Sequence, residues 1–260
     1  MSSSDFQDRD EIVPQAPAVA VSLADTSGYV KRMPKTVLEV LYEDNHLLVV
    51  NKPAGLATQG VAEGTPSVLT RAKEYLKKKY RKPGNVYLGI VSRLDVTVSG
   101  VLVLARTSKA ADRLTKQFQS GQADKVYWAL VERPPPDSDG ELSHWVLKND
   151  RERRMDVAPP RSRGAQHARL SYRILRKERL GTLVEVRLHT GRKHQIRLQL
   201  STIHCPILGD RKYGSRKAFV GEAIALHCVR LTIEHPTTRK QMEFTCRPPT
   251  NWHLEADSTS

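Results

Sequence analysis

In the stretch "VSRLDVTVSGVLVLA", Val91 to Ala105, Asp95 is the only acid, with apolar residues on both sides and Arg93 two positions before it. Apolar neighbours lower the local dielectric and a nearby guanidinium keeps the acid ionised, the setting of a nucleophile. The same residue also reads as a turn aspartate that accepts backbone N–H bonds or pairs with Arg93. A second group, "HTGRKHQIR", gathers His189, Arg192, Lys193, His194 and Arg197 about a predicted strand-to-helix junction. The free N–H groups of such a junction attract anions. Arg197 falls beyond the first predicted turn, near the buried stripe, where a guanidinium normally requires a partner. Asp95 is available; the other reading leaves Arg197 on the helix surface. Tyr127, in "KVYWAL", alternates with Val126 and Trp128. It is either a core tyrosine or a ring that stacks on a base with its hydroxyl near the chemistry.

Several chemistries are disfavoured. No His or Cys falls in HExxH or CxxC spacing, so no metal is expected. There is no P-loop and no GxGxxG, and "GTPSVLT" lacks the lysine that phosphate cradling needs. A glycoside hydrolase usually needs a second carboxylate, and the acids near these motifs, Glu185 and Asp210, fall in no obvious pair. A metal-dependent nuclease would need clustered carboxylates or histidines.

The 260 residues carry 42 Lys+Arg against 28 Asp+Glu, a formal charge of +14 that points to a polyanionic partner, most simply a nucleic acid. The three cysteines, Cys205, Cys228 and Cys246, are too few and too far apart for a disulfide framework and read as reduced core residues. No apolar run approaches the ~20 residues of a membrane helix, and the first residues are acidic where a signal peptide is basic. These features predict a cytoplasmic protein without membrane contact.

The elements that must position these residues follow from pattern. Residues 1–34, rich in Ser, Asp, Pro and Ala without periodicity, are expected to be a disordered arm, 35–250 one folded body and 251–260 a tail. Val37 to Tyr42 and Leu47 to Asn51 read as a hairpin turning at "EDNH". A helix follows with Thr65 as N-cap, Pro66 at its first position and Val68, Leu69, Ala72, Leu76 and Tyr80 on one face. Its basic C-terminal half reads as a solvated face. "GVLVLART" is a strand. "TSKAADRLTKQFQSG" is a helix capped by Ser108, with an Ala111, Leu114, Phe118 face and Gly121 as its stop. "ADKVYWALVE" is a strand, and the β pattern that follows ends at Thr182 to Leu188. "GRKHQIRLQLSTIHC" turns helical with Ile196, Leu200 and Ile203 inward, and the tail is a hairpin with "HPTTRK" as its turn. Strands dominate with a few packed helices, an α+β pattern.

Three motifs together carry a specific likeness: "LYEDNHLLVVNKPAGL", "SRLDVTVSGVLVLARTSKAA" and "HTGRKHQIRLQLSTIHCPILGDRKYG", with "ALHCVRLTIEHP" in support. From about Leu38 to Pro248 the chain resembles the RluA-type pseudouridine synthases. The resemblance implies an α+β fold with a mixed, mainly antiparallel β-sheet and flanking helices, the pseudouridine synthase fold. It also implies isomerisation of uridines in rRNA or tRNA without metal or cofactor. In it Asp95 is the essential acid, Tyr127 the active-site tyrosine and Arg197 the basic partner of Asp95. Arg93 matches the arginine that enters the RNA where the uridine leaves, and Leu226 the lining of the uracil pocket. Arg192, Lys193 and His194 then fall to RNA binding. Two positions depart from the family pattern: Ser92 stands where His is usual, and Val98 where Thr is usual. With a short arm ahead of the body, the chain is expected to lack the S4 domain of many relatives and to act as a monomer. The rival is an RNA-binding or ribosome-assembly protein that keeps the fold without catalysis; its sign would be a missing Asp, Tyr or Arg, and all three are present.

Overall fold

The computed structural model describes Leu38–Glu255, so the expected arm lies outside the described residues. The opening hairpin forms as β1 (Glu39–Glu43) and β2 (Leu47–Lys52). The next helix, α1 (Val68–Lys79), starts later than Thr65 and Pro66 suggested. Ser67 is bridged to Ala57 in parallel pairing, and the Val68 and Leu69 amides donate to the carbonyls of Ala57 and Thr58, which holds the preceding chain extended. Ser67 is therefore the N-cap, in a reciprocal capping box with Thr70. Val68, Ala72 and Leu76 are buried, Leu69 is half-buried and Tyr80 is exposed. Lys77 and Lys78 face solvent, as expected, while Lys79 pairs with Glu43 at 2.8 Å.

A two-residue strand, β3 (Gly89–Ile90), precedes β4 (Ser99–Ala105), and α2 (Ser108–Ser120) follows. Thr107, not Ser108, caps α2, its side chain accepting from the Ala110 amide; Gly121 ends it in the left-handed conformation, as predicted. The buried face is Ala110, Leu114 and Gln117, while Ala111 and Phe118 are half-buried. The helix is turned this way because the Gln117 amide exchanges two hydrogen bonds with the Glu234 backbone, at 2.8 and 2.9 Å. The remaining strands are β5 (Asp124–Val131), β6 (Asp139–Asn149), β7 (Arg154–Ala158), β8 (Gln166–Lys177), β9 (Thr182–Leu188), β10 (Leu226–Glu234) and β11 (Gln241–Thr245). Between β9 and β10 lies α3 (Gln195–Thr202), with Ile203 just past its end and Arg197 inside its first turn instead of beyond it. The packed body continues past residue 250, since Trp252 is buried against Phe219 and His227.

The strands form one sheet in the order β1-β2-β4-β10-β5-β9-β8-β6-β7, with β3 on β4 and β11 on β10. It is antiparallel except between β4 and β10, the mixed and mainly antiparallel α+β architecture expected. That parallel seam is only two pairs long, His227 with Ser99 and Cys228 with Gly100. Beyond it β4 turns to β3 and β10 to β11. Gly100 is required there: its φ is +122°, and a Cβ would lie 2.4 Å from the Cys228 backbone nitrogen and oxygen. A buried imidazole reinforces the seam, with His227 Nδ1 2.8 Å from Ser99 Oγ and Nε2 3.2 Å from the Cys246 carbonyl.

Burial lowers the His227 pKa to about 4, against 6.5 for the free side chain. Between these values the unfolded chain takes up a proton that the native seam refuses, so stability is full above pH 6.5 and is lost as pH falls toward 4. Urea denaturation across this window is expected to show a pH slope smaller by up to ~1.4 kcal/mol per pH unit in His227→Gln than in the wild type. Equal slopes would contradict a neutral His227 in the seam.

Candidate active site

A cleft of about 980 Å³ opens on the side of the seam where the β3–β4 loop enters the sheet. Its walls come from residues 57–59, the loop 90–98, the end of α2, the start of β5, the β9–α3 junction and Leu226. Asp95 is the one carboxylate among the described residues that line it, against Arg93, Lys125, Arg192, Lys193, Arg197 and Lys212. Such a wall focuses positive potential on a polyanion and leaves a single anionic group to do chemistry.

The Asp95 loop is pinned through its own backbone groups. Thr58 Oγ1 donates to the Leu94 carbonyl at 2.9 Å and accepts from the Leu94 amide at 3.3 Å. The Gly55 amide donates to the Val96 carbonyl at 2.7 Å, the Val98 amide to that of Asp95 at 3.1 Å and the Ile224 amide to that of Thr97 at 3.1 Å. Beneath lies Lys52, fully buried, its ammonium donating to the carbonyls of Pro53 (2.9 Å), Leu56 (2.7 Å) and Val96 (3.3 Å). Burial pulls its pKa down to about 7, opposed by the charge of Asp95. A lysine read from sequence only as the end of a strand thus clasps two loops behind the acid.

Asp95 and Arg197, far apart in sequence, meet: Arg197 Nη1 donates to Asp95 Oδ2 at 3.1 Å. On its other side the guanidinium grips Asp210 bidentately, Nε to Oδ2 at 2.7 Å and Nη2 to Oδ1 at 2.8 Å. Asp210 is buried. Burial works against the charge of Arg197, but the bonds and charges of Asp210 and then Asp95 outweigh it and raise its pKa. Asp210 was the acid without an obvious pair; its signal was a lone acid after Gly209 in an apolar run, within the third motif. Asp95 itself is 30% exposed in its side chain, and its Oδ1 receives no hydrogen bond among the described residues.

Tyr127 is buried on β5 and lines the same cleft, as does Leu226 at the start of β10. Burial first, then the neighbouring Cys228 and Asp95, hold the Tyr127 pKa well above its ordinary value, so it meets a ligand as a neutral phenol. Arg93 is exposed on the loop beside Asp95, and Lys193 is exposed on the β9–α3 junction. Arg192 is half-exposed, its Nε donating to the His167 carbonyl at 2.9 Å. That junction does not present a row of free N–H groups: Gln195 Oε1 accepts from the Arg192 amide at 2.9 Å and from Thr190 Oγ1 at 2.8 Å. His194 lies inside the cleft next to Asp95, its Nε2 3.6 Å from Asp95 Oδ2. Ser92 lines the cleft wall, and Val98 lines it with its side chain buried. Among the described residues no three His, Cys, Asp or Glu side chains gather as a metal site.

Residues 46–202 match the family model described as RNA pseudouridylate synthase. Over 227 residues, 84% of this chain and 71% of the relative, the sequence is 34% identical to a ribosomal large subunit pseudouridine synthase D of Zymomonas mobilis. It is 34% identical over 216 residues, 81% of this chain and 93% of the relative, to the dual-specificity RNA pseudouridine synthase RluA of Haemophilus influenzae. Among solved structures, human RNA pseudouridylate synthase domain containing 4 superposes with a TM-score of 0.67 at 28% identity, over 81% of this chain and 88% of that one. The chain belongs to the RluA-type RNA pseudouridine synthase family. It is an isomerase that converts uridine in RNA to pseudouridine by the family's cofactor-free, aspartate-based chemistry.

Replacing Lys52 with Met removes this donor from the buried Leu56 carbonyl and the part-buried Pro53 carbonyl, while the Val96 carbonyl keeps the Gly55 amide. Thermal or urea denaturation of Lys52→Met is expected to show a loss of about 3 kcal/mol, with Asp95-dependent turnover falling as its loop slackens. Wild-type stability would contradict the clasp.

Proposed function

We propose that Asp95 acts on the ribose of a flipped uridine through its Oδ1, while Arg197 holds Oδ2. The observation that carries this reading is the cleft's composition among the described residues: one carboxylate, tied at one oxygen and open at the other, in a wall of cations. Isomerisation breaks the N1–C1′ bond, forms C5–C1′, removes the proton from C5 and places one on N1. The bonding pair of N1–C1′ stays on the uracil as it departs. Asp95 starts this cleavage by adding to C1′ of the sugar or by taking the 2′ proton. On the first route C5 displaces the carboxylate from C1′, and on the second the proton returns to C2′ as C5–C1′ forms, so on both the carboxylate is restored and ready for the C5 proton.

Tyr127, a phenol held protonated by burial, is a poor base at neutral pH. We therefore place it against the uracil as a stacking face and hydrogen-bond donor, with Asp95 as the proton acceptor. Leu226 packs against the uracil. Arg93, exposed beside Asp95, fills the gap left in the RNA, and Arg192 and Lys193 contact phosphates at the rim. A base in a duplex is out of reach, so the nucleotide is extruded at a cost of a few kcal/mol, which favours a loop or a mismatch.

The substrate we infer is rRNA or tRNA, supported by relatives named for the large ribosomal subunit and for dual specificity. The free thiols of Cys205, Cys228 and Cys246 suit a reducing cytoplasm.

The test is release of tritium from rRNA and tRNA labelled at uridine C5, taken from cells without this enzyme. Wild type is expected to release label from at least one pool, Asp95→Asn none above background, and Tyr127→Phe to bind the RNA with wild-type affinity while turning over at least tenfold more slowly. Turnover by Asp95→Asn would overturn the assignment of Asp95.

A further inference from the structure

His194 was grouped with the cations that hold RNA, yet its side chain is only 10% exposed and its ring sits edge-on to Tyr213, with centroids 5.7 Å apart and planes at 85°. Its backbone is left-handed, φ 51° and ψ 21°, a conformation that a residue with a Cβ adopts at a cost and that is kept where the surroundings dictate it. The turn aims the imidazole into the cleft in place of capping α3, and its side chain makes no cap bond.

The hydrogen bonds favour one position for the proton on this ring. Tyr213 Oη accepts from the Met155 amide at 2.9 Å, and that amide belongs to β7. A hydroxyl has one proton to give, and the acceptor placed for it is His194 Nδ1, 2.9 Å away. Nδ1 is then an acceptor, so the ring proton is on Nε2, the nitrogen 3.6 Å from Asp95 Oδ2. Burial, with the nearby Arg197, Lys193 and Lys212 in support, lowers the His194 pKa to about 4 despite Asp95, so the ring is neutral at working pH. A neutral imidazole adds little to phosphate binding, which needs charge. The ring of Tyr213 also lies under Arg197, with Cζ 5.0 Å from its centroid. One tyrosine thus touches both groups that approach Asp95 Oδ2.

We propose that His194 and Tyr213 are positioning residues for the isomerisation: Tyr213 locks His194 as the Nε2–H tautomer, and that N–H, with Arg197, fixes Asp95 Oδ2 so that Oδ1 faces the ribose. The proposal rests on the reading of Asp95 as the reacting carboxylate. The 3.6 Å separation closes to a hydrogen bond when substrate fills the cleft, as contacts of this kind commonly tighten in the bound complex. The chain of bonds also ties the acid to the β6–β7 hairpin through the Met155 amide, so the hairpin serves the site without touching substrate.

Single-turnover tritium release and RNA binding over a range of salt separate this role from the alternatives. His194→Ala is expected to slow turnover about 10- to 100-fold with an unchanged Kd and an unchanged slope of log Kd against log salt. His194→Gln, whose side-chain amide N–H falls near the imidazole Nε2, is expected to recover turnover to within a few-fold of wild type. Tyr213→Phe, which keeps the ring under Arg197 and removes only the hydroxyl, is expected to slow turnover about tenfold, again with unchanged binding. A salt slope lower by about 0.7–0.9 in His194→Ala, with turnover of bound RNA intact, would overturn the proposal in favour of a phosphate contact. Failure of Gln to rescue, or full activity in Tyr213→Phe, would overturn it as well. Activity in Asp95→Asn, run alongside, would instead bring down the reading of Asp95.

Discussion

One guanidinium shared by two carboxylates governs this site. Arg197 is buried in the first turn of α3, and a buried cation is tolerated only when its charge and donors are met. Asp210 meets most of them with two short bonds, in a place where neither group has other freedom. The remaining Nη1 is presented to Asp95 as a fixed donor. Asp95 thus meets a positive charge whose place is already decided.

The sheet explains why these residues meet. Two half-sheets join through a two-pair parallel seam, and the chain that enters it at Ser99 has just passed through Asp95. On the far side β5 brings Tyr127 and β10 begins with Leu226. A seam so short depends on Gly100 lying against Cys228 and on the His227–Ser99 contact, so residues that hold the fold here also set the width of the cleft. Loop 90–98 carries the reacting group, but its backbone is bonded to neighbours at Leu94, Asp95, Val96 and Thr97, which makes it a rigid platform.

Much of this was legible in the chain. Alternation and turn residues gave the two hairpins and the span of β9, and Gly121 marked the end of α2 correctly. Apolar periodicity placed Ile196 and Leu200 inward, and burial of that stripe brought Arg197 to its partner. What failed was tertiary in origin. Ser67 displaced Thr65 as a cap because a strand-like bridge to Ala57 holds the preceding residues extended. Gln117 displaced Phe118 on the buried face because a backbone ladder 117 residues away needed its amide. Lys52 and Asp210 look like surface charges in a pattern of hydropathy, since the carbonyls and guanidinium that justify their burial belong to other segments. His194 looked like one more cation in a basic run, and the Tyr213 hydroxyl that meets its Nδ1 belongs to another segment.

The most direct measurement is a double-mutant cycle on single-turnover rate with Arg197→Lys, Asp210→Asn and the pair, each shown folded by its melting curve. If Asp210 acts on Asp95 only through the Arg197 guanidinium, each single change slows turnover tenfold or more, and the pair is no more than about threefold slower than the worse single variant. Losses that multiply would mean that Asp210 and Arg197 act independently, and the shared guanidinium would not be what holds the catalytic acid.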